Sequence, residues 1–371
     1  MRILISSITD SGVLRVRKEI ICAFLKDGHE VIVVTPASNV YPKIEEMGCK
    51  FIPINMDGHG INPIKDIFVI MSYRRILKHV QPDVVLTFTI KPNLYCGINC
   101  RMMSIPQVMN ITGFGTALAY PGLRQKLLVS MYRFVAKKVT RIFFQNQSDL
   151  NHFKDWHIAS EKQYHLLPGS GVNLSCFVPT PYPSDENGIH FLFISRIIKE
   201  KGISNYIEAA RVIKEKHSNT YFHVFGNATD AYADKLKQAQ EDGYIIYHGR
   251  VNNIADYQKS SHCTVLPSYY PEGICNVLLE GAASGRPVIT CNHPGCREAV
   301  DDGVTGYLVN IDDTHDLVLK LEQFLGLSND ERVKMGLAGR KKMECEFDRN
   351  IVVEAYMNEI SKINNYESIN S

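Results

Sequence analysis

Along most of the chain, short runs of apolar and β-branched residues alternate with longer stretches whose apolar positions recur every three or four residues. The first such pair is RILISS followed by the amphipathic GVLRVRKEIICAFLKDGHE, and VIVVTP comes next as a strand. PKIEEMGC reads as a short helix, KFIPI as a strand, KDIFVIMSYRRILKHV as a helix and PDVVLTFT as a strand. PNLYCGINCRMMSI, PQVMNIT, PGLRQKLLVSMYRFVAKKVT and RIFFQN carry the alternation on, and HLLPGSG closes it. Nearly continuous apolar strands between amphipathic helices predict a parallel sheet covered on both faces.

The pattern breaks at VPTPYPSDENG, Val178 to Gly188, which is rich in proline and polar residues and reads as a linker. It restarts with IHFLFISR, ISNYIEAARVIKEKH, TYFHVFG and DAYADKLKQAQEDG. YIIYHG, NIADYQKSS, CTVLPS, NVLLEGAASG, PVITC, CREAVDDG and TGYLV complete a second series. The expectation is an α/β protein with two doubly wound, Rossmann-like domains, over residues 1–178 and 186–347. The tail DRNIVVEAYMNEISKI predicts a last amphipathic helix, within 348–371, packing back on the first domain. The chain has 371 residues, beyond the ~250–300 at which single cores stop growing. Open α/β sheets bind ligands outside the carboxyl ends of their strands. The chemistry is therefore expected in the loops that follow the strands.

Composition removes several classes. Apolar residues make up 45% and charged residues 22%, with a formal net charge of +2. Those values are ordinary for a globular protein and do not point to nucleic acid. No apolar run reaches the ~18–20 residues of a membrane span, and MRILISS has no signal-peptide core. The ten cysteines are scattered, and neither Cys96/Cys100 nor Cys291/Cys296 forms a zinc or redox pattern. Cys22, Cys263 and Cys275 stand in apolar stretches and read as buried, reduced thiols, which suits a reducing cytosol.

Against that background PEGICNVLLEGAASGRPVI is unusual, because it sets Glu272 and Glu280 eight residues apart in an apolar segment. Pro271 and Gly273 mark a turn, and a helix follows with Gly285 as its stop. Eight helical residues advance roughly 12 Å and about 80° past two turns. Both carboxylates can then line one side of a site, with a phosphate-favouring helix N-terminus between them. The same spacing also suits a helix-start charge and a solvated face residue. SRIIKEKG places Arg196 and Lys201 after the first strand of the second series, where two cations suit a diphosphate or simply a solvated loop. Gly226, Gly249 and the backbone near Arg250 and Val251 end further strands, where glycine permits close approach of a base. His223 and His248 read as structural. All of these segments fall at strand-to-helix crossings of one sheet.

SRIIKEKG, HGRV, LPSYYPEGICNVLLEGAASGRPVI and GCREAVDDGVTGYLV together resemble the family 4 retaining glycosyltransferases, over nearly the whole chain. The resemblance implies the GT-B fold, two Rossmann-like domains facing across a cleft. It implies that Glu272 faces the donor sugar, that Glu280 holds the ribose, that Arg196 and Lys201 grip the diphosphate, and that Glu272, Arg196 and Lys201 form the catalytic group. Gly273, Ile274, Cys275 and Asn276 would contact the donor, as would Gly12, Gly226, Arg250 and Val251. IKPNLYCGINCRMMSIPQVMNITGFGTALAY is similar to bacterial enzymes that extend undecaprenyl-diphosphate-linked glycans, including N-acetylgalactosaminyltransferases. On that likeness Arg15, Lys91, Asn93, Thr112, Gly113 and Gly115 line the acceptor side. The chain departs from the family in two places. Thr112 and Gly113 stand where many members carry a histidine, and SSITDSG lacks the usual double glycine while keeping Gly12.

The resemblance thus implies a UDP-sugar donor, with GalNAc or a related hexose favoured, a lipid-linked glycan acceptor, and no cofactor or metal. Retention needs no protein nucleophile, since leaving diphosphate and incoming hydroxyl can share one face of the sugar. A UDP-sugar 2-epimerase of the same fold, a transferase to a soluble acceptor and a non-catalytic nucleotide-sugar binder are the rivals. A nicotinamide dehydrogenase is disfavoured, because no G-x-G-x-x-G follows the first strand. PGLRQKLLVSMYRFVAKKVTR carries Arg124, Lys126, Arg133, Lys137, Lys138 and Arg141 among large apolar residues, and MSYRRILKH adds Arg74, Arg75 and Lys78. A basic amphipathic segment of this kind suits an anionic membrane surface or an ordinary packed surface helix. The expected location is the cytoplasmic face of the plasma membrane.

Overall fold

The computed structural model describes residues 1–58, 62–251 and 253–370 and falls into two compact units. The first comprises Met1–Ser170 with Arg349–Ser371, and the second Gly171–Asp348. Ser371, within the predicted last helix, lies outside the described residues.

The first unit holds β1 (Arg2–Ser6), β2 (Glu30–Thr35), β3 (Lys50–Pro53), β4 (Val84–Phe88), β5 (Gln107–Ile111), β6 (Arg141–Phe144) and β7 (Tyr164–Leu166). They form one parallel sheet in the order β3-β2-β1-β4-β5-β6-β7. The second unit holds β8 (Ile189–Ile194), β9 (Thr220–Phe225), β10 (Ile246–Tyr247), β11 (Cys263–Leu266), β12 (Val288–Cys291) and β13 (Gly306–Val309). Its order, β10-β9-β8-β11-β12-β13, repeats the first six positions of the other sheet and lacks a counterpart of β7. Residues of β4, β5, β8, β11 and β12 are mostly buried on both faces, as helices packed on each side require. In each sheet the order reverses once, between β1 and β4 and between β8 and β11. Ligands of doubly wound sheets bind at such reversals.

The structure departs from the sequence pattern in several places. The long first amphipathic stretch is two helices, Asp10–Val16 and Lys18–Lys26, broken at Arg17 with φ −126° and ψ 0°. Cys22 lies on the outer face of the second of these and is exposed, while Cys263 and Cys275 are buried. Helices Gln147–Asp155, Thr314–Leu325 and Asn329–Glu346 add to the elements read from the sequence.

The units also divide at Ser170/Gly171, not at the proline-rich segment. That segment belongs to the second unit because two buried arginines hold it. Arg286, 1% exposed, donates to Thr180 Oγ1 at 3.0 Å, and Arg332 pairs with Asp185 at 2.9 Å. At the other boundary, helix Arg349–Asn370 joins the first unit. There Val352, Tyr356, Ile360 and Ile363 enter the core beside β1, β2 and β4, and Arg349 pairs with Glu19 at 2.7 Å.

Candidate functional site

The reversal between β8 and β11 gathers the charged residues of the second unit. After β8 the chain makes a tight turn, Lys199–Lys201, and ends it at Gly202 with φ +75°. A Cβ at Gly202 would stand 2.2 Å from the carbonyl oxygen of Pro267, so glycine lets the loop after β8 lie against the loop after β11. The contact delivers Lys201 Nζ to Glu272 Oε1, and the two are directly hydrogen-bonded. Lys201 is only 4% exposed. Burial works most strongly against its charge, but Glu272 together with the Cys275 and Cys296 thiols outweighs it, and the ammonium pKa lies above its ordinary value. Lys201 is therefore a fixed cation at neutral pH.

Arg196 sits a few residues earlier and is exposed. Its guanidinium lies 5.1 Å from the centroid of the Tyr270 ring, and Lys201 Nζ lies 5.4 Å from the same ring. Among the described residues the Arg196 guanidinium makes no hydrogen bond or ion pair. Tyr270 thus braces both cations. No spacing rule marks it in the sequence.

Beyond Glu272, Gly273, Ile274 and Cys275 are buried and lead into helix Asn276–Ala283. Cys275 takes the capping position in extended conformation, and no side chain caps the helix. Such an end favours an anion. The Asn276 Oδ1 atom beside it is buried with no hydrogen-bond partner among the described residues. Glu280 follows on the same helix, 8% exposed. Gly295, at φ +89°, supports the loop from below, since a Cβ there would meet Glu272 O at 2.4 Å. On the next strand, Gly226 at φ +140° packs against Ser195, whose carbonyl a Cβ would strike at 1.7 Å. Gly226 N–H donates to Gly249 O at 2.8 Å, which brings the loop of exposed Arg250 and half-buried Val251 beside it. Every donor-side residue predicted in the second unit therefore lies after β8, β9, β10 or β11.

Two family profiles match the chain, "Glycosyl transferase 4-like" over residues 2–146 and "Glycosyl transferases group 1" over residues 179–342. Together the two matches span most of the chain, and the chain is a glycosyltransferase. It is 23% identical to an N,N'-diacetylbacillosaminyl-diphospho-undecaprenol α-1,3-N-acetylgalactosaminyltransferase of Campylobacter jejuni, over 96% of this chain and 97% of that one. It is 26% identical to a UDP-Gal:α-D-GlcNAc-diphosphoundecaprenol α-1,3-galactosyltransferase of Escherichia coli, over 68% and 69% of the two chains. Among solved structures, Anabaena HepE in complex with UDP-glucose superposes with a TM-score of 0.81 at 14% identity, covering 98% of this chain and all of that one. A Rickettsia africae glycosyltransferase superposes with a TM-score of 0.78 at 18% identity, covering 98% of each chain. The fold is GT-B.

In the first unit of this glycosyltransferase the predicted acceptor-side residues, and Gly12 predicted on the donor side, follow β1, β4 and β5. Gly12 lies in helix Asp10–Val16, its N–H donating to Thr9 Oγ1 at 3.1 Å, and Arg15 is exposed on that helix. Thr112 and Gly113 follow β5, and Gly115 opens the next helix. Lys91 and Asn93 are more enclosed than an open acceptor side suggests. Lys91 pairs with Asp66 at 3.0 Å, both largely buried. Asn93 is 1% exposed, and its Nδ2 donates to Asn110 O at 2.9 Å, tying the loop after β4 to β5.

Helices Pro63–Val80, Gly97–Met103 and Leu123–Ala136 turn their inner faces to one core in the same unit. Asn99 on the middle helix donates to Ile70 O on the first at 2.9 Å, and the Arg101 guanidinium lies 3.9 Å from the Phe134 ring on the third. Outward they expose Ile64, Ile67, Phe68 and Met71, then Met102, then Leu123 and Leu127. Arg124, Lys126, Lys137 and Lys138 are exposed. Arg141 is engaged elsewhere, with Glu359 at 3.1 Å and Lys162 O at 2.7 Å, and Arg133 donates to Trp156 O at 2.8 Å. From Val84 to Ser148 the sequence contains no Asp or Glu. No helix among the described residues is long and apolar enough to cross a membrane.

Proposed function

We propose that the enzyme transfers a sugar, GalNAc or a related hexose, from a UDP-sugar to a lipid-diphosphate-linked glycan, with retention at the anomeric carbon. The product belongs to cell-surface polysaccharide, O-antigen or glycoprotein glycan assembly. The buried Lys201–Glu272 pair at the strand-order reversal carries this reading. It fixes a cation where a diphosphate departs and a carboxylate where sugar hydroxyls are recognised. The names of the Campylobacter and Escherichia relatives support the lipid-linked acceptor, and the UDP-glucose complex of the Anabaena neighbour supports the donor class.

Charge develops on the departing phosphate in the transition state. Lys201, Arg196 and the uncapped start of helix Asn276–Ala283 stabilise it without reorganisation. Glu272 accepts hydrogen bonds from the donor sugar, and Glu280 from the ribose. Arg196 and Lys201 perform the electrostatic task that a divalent ion performs elsewhere, so turnover proceeds without metal. The exposed apolar and basic surface of the first unit docks on anionic lipid at the cytoplasmic face of the membrane.

A donor screen against a lipid-diphosphate glycan acceptor, in excess EDTA, tests the proposal. Mass analysis reads transfer, and NMR reads linkage and anomeric configuration. Transfer from a UDP-hexose with retained configuration is the expected result. Turnover of donor alone to an epimer, or activity lost in EDTA and restored by Mn²⁺, would sink it.

A further inference from the structure

Two thiols flank the donor site without a part in the chemistry above. The Sγ atoms of Cys275 and Cys296 and a carboxylate oxygen of Glu272 all lie within 4.8 Å of one another. Both cysteines are buried and free of disulfides. Their backbones are fixed, Cys275 N–H donating to Gly295 O at 2.7 Å and Cys296 N–H to His293 O at 3.0 Å. Gly295 presses the two loops together.

Tetrahedral zinc holds thiolates at about 2.3 Å and carboxylate oxygen at about 2.0–2.2 Å, which sets its ligand atoms roughly 3.6–3.8 Å apart. The three atoms, all within 4.8 Å of one another, reach that spacing with movements of no more than about 1 Å. Two sulfurs and one oxygen select zinc over magnesium or manganese. We propose that Cys275, Cys296 and Glu272 form an inhibitory site for a thiophilic divalent ion, with zinc as the natural occupant and a fourth position left to water.

Binding forms two zinc–sulfur bonds and one zinc–oxygen bond, and the two thiol protons pass to solvent. The ion draws Glu272 from Lys201 and sits at the start of helix Asn276–Ala283, where the donor diphosphate is proposed to bind. The inhibitory half of the proposal rests on the donor reading of Glu272. The metal site itself does not.

The test uses the full chain with the exposed Cys22, Cys176 and Cys345 changed to serine. Titration with cobalt(II), an optical probe for zinc, should produce thiolate-to-metal absorption that saturates at one equivalent and is bleached by zinc. Zinc should abolish UDP binding measured by calorimetry, and a chelator should restore it. Cys296→Ser should lose the absorption band and need at least about tenfold more zinc for the same loss of UDP binding. Its turnover in chelator should equal that of the parent. Cys296→Ala, which keeps an apolar group in the buried position, is the second variant should the serine prevent folding. No thiolate band in the parent, or equal zinc sensitivity in parent and variants, overturns the site and leaves the donor reading intact. A thiolate band with unchanged UDP affinity overturns the inhibitory role and counts against the diphosphate's proposed place at the start of helix Asn276–Ala283.

Discussion

The first unit reverses its strand order between β1 and β4, the second between β8 and β11, and the two reversals are furnished in opposite ways. In the second, a buried lysine and a carboxylate meet, with an exposed arginine beside them. In the first, polar groups near the reversal satisfy one another. Ser6 Oγ is 2.8 Å from Tyr73 OH, Asp10 accepts from Ser38 N–H at 2.8 Å, and Lys91 is committed to Asp66 at 3.0 Å. The first unit carries its accessible charge on the outer faces of helices. On the proposed reading, one topology serves a small anionic ligand in one unit and a broad surface in the other. Topology locates a site, but side-chain commitment decides what it does.

The sharpest way to break that contrast is to remove the lysine from each reversal. Lys201→Ala should lower kcat about 10²–10³-fold, the usual cost of one fixed transition-state charge partner. Lys91→Ala should leave UDP affinity unchanged by calorimetry and cost about 3–5 kcal/mol in urea unfolding, because Asp66 is left buried without its cation, held only by neutral donors such as Asn62 N–H. Equal turnover losses with no stability difference would erase the distinction.

The surface of the first unit is tested next. Arg124, Lys137 and Lys138 are exposed, so Arg124→Gln/Lys137→Gln/Lys138→Gln removes charge without breaking an ion pair. Arg141 is unsuitable, since it binds Glu359. At about 1 kcal/mol per basic residue near anionic lipid, the triple variant should bind anionic vesicles roughly a hundredfold more weakly at low salt. High salt should shrink the difference. UDP affinity should not change. Undiminished co-sedimentation would reduce these helices to packed surface helices.

Within the second unit, Glu280→Ala should weaken UDP binding about tenfold or more, the scale of hydrogen bonds from sugar hydroxyls to a charged acceptor. Lys91→Ala is the control from the other unit. UDP affinity untouched in both would remove Glu280 from the ribose.

The sheets were legible because strands such as Val31–Thr35 and Val84–Phe88 are buried on both faces and therefore read as unbroken apolar runs. The loops proposed to hold the donor stand out in the sequence because each follows such a run, and Gly226 and Gly273 punctuate them. Other features depend on contacts remote in sequence. Helix Asn329–Glu346 buries Gly336 against Gly285 and Gly339 against Ala282, so its inner face shows no large apolar stripe. The proline-rich segment looks like a boundary, but Arg286 and Arg332 reach it from more than 100 residues away. Tyr270 carries no motif, and Lys91 looked available until Asp66 was found beside it. Periodicity reports which face is buried. It does not report which partner a polar side chain has taken.

The smallest expected effect separates the units by acid. In the second, His190 Nδ1 lies 2.9 Å from His223 Nε2, and His223 Nδ1 lies 2.9 Å from His248 Nε2, a row across β8, β9 and the end of β10. In the neutral row each ring can donate one N–H and accept one. A second added proton would set N–H against N–H. Burial, then the neighbouring His190, His248 and Lys214, pushes the His223 pKa down to about 4. His262, whose Nδ1 accepts the His190 backbone N–H at 3.0 Å, is also pushed down to about 4, by burial and His190, with Asp185 opposing and Arg332 adding. These folded values lie below the ordinary histidine value of about 6.5. The unfolded chain therefore binds more protons between about pH 6.5 and 4, so stability is full above that window and falls as pH drops through it. For His223 the loss should be about 1 kcal/mol between pH 6.5 and 5.5, at a limiting slope of about 1.4 kcal/mol per pH unit. Hydrogen exchange at the two pH values should show β8 and β9 losing protection before β4 and β5. His223→Gln should flatten the dependence by about that amount. Equal acid sensitivity in both sheets, or an unchanged slope in the variant, would mean that the row tolerates protons.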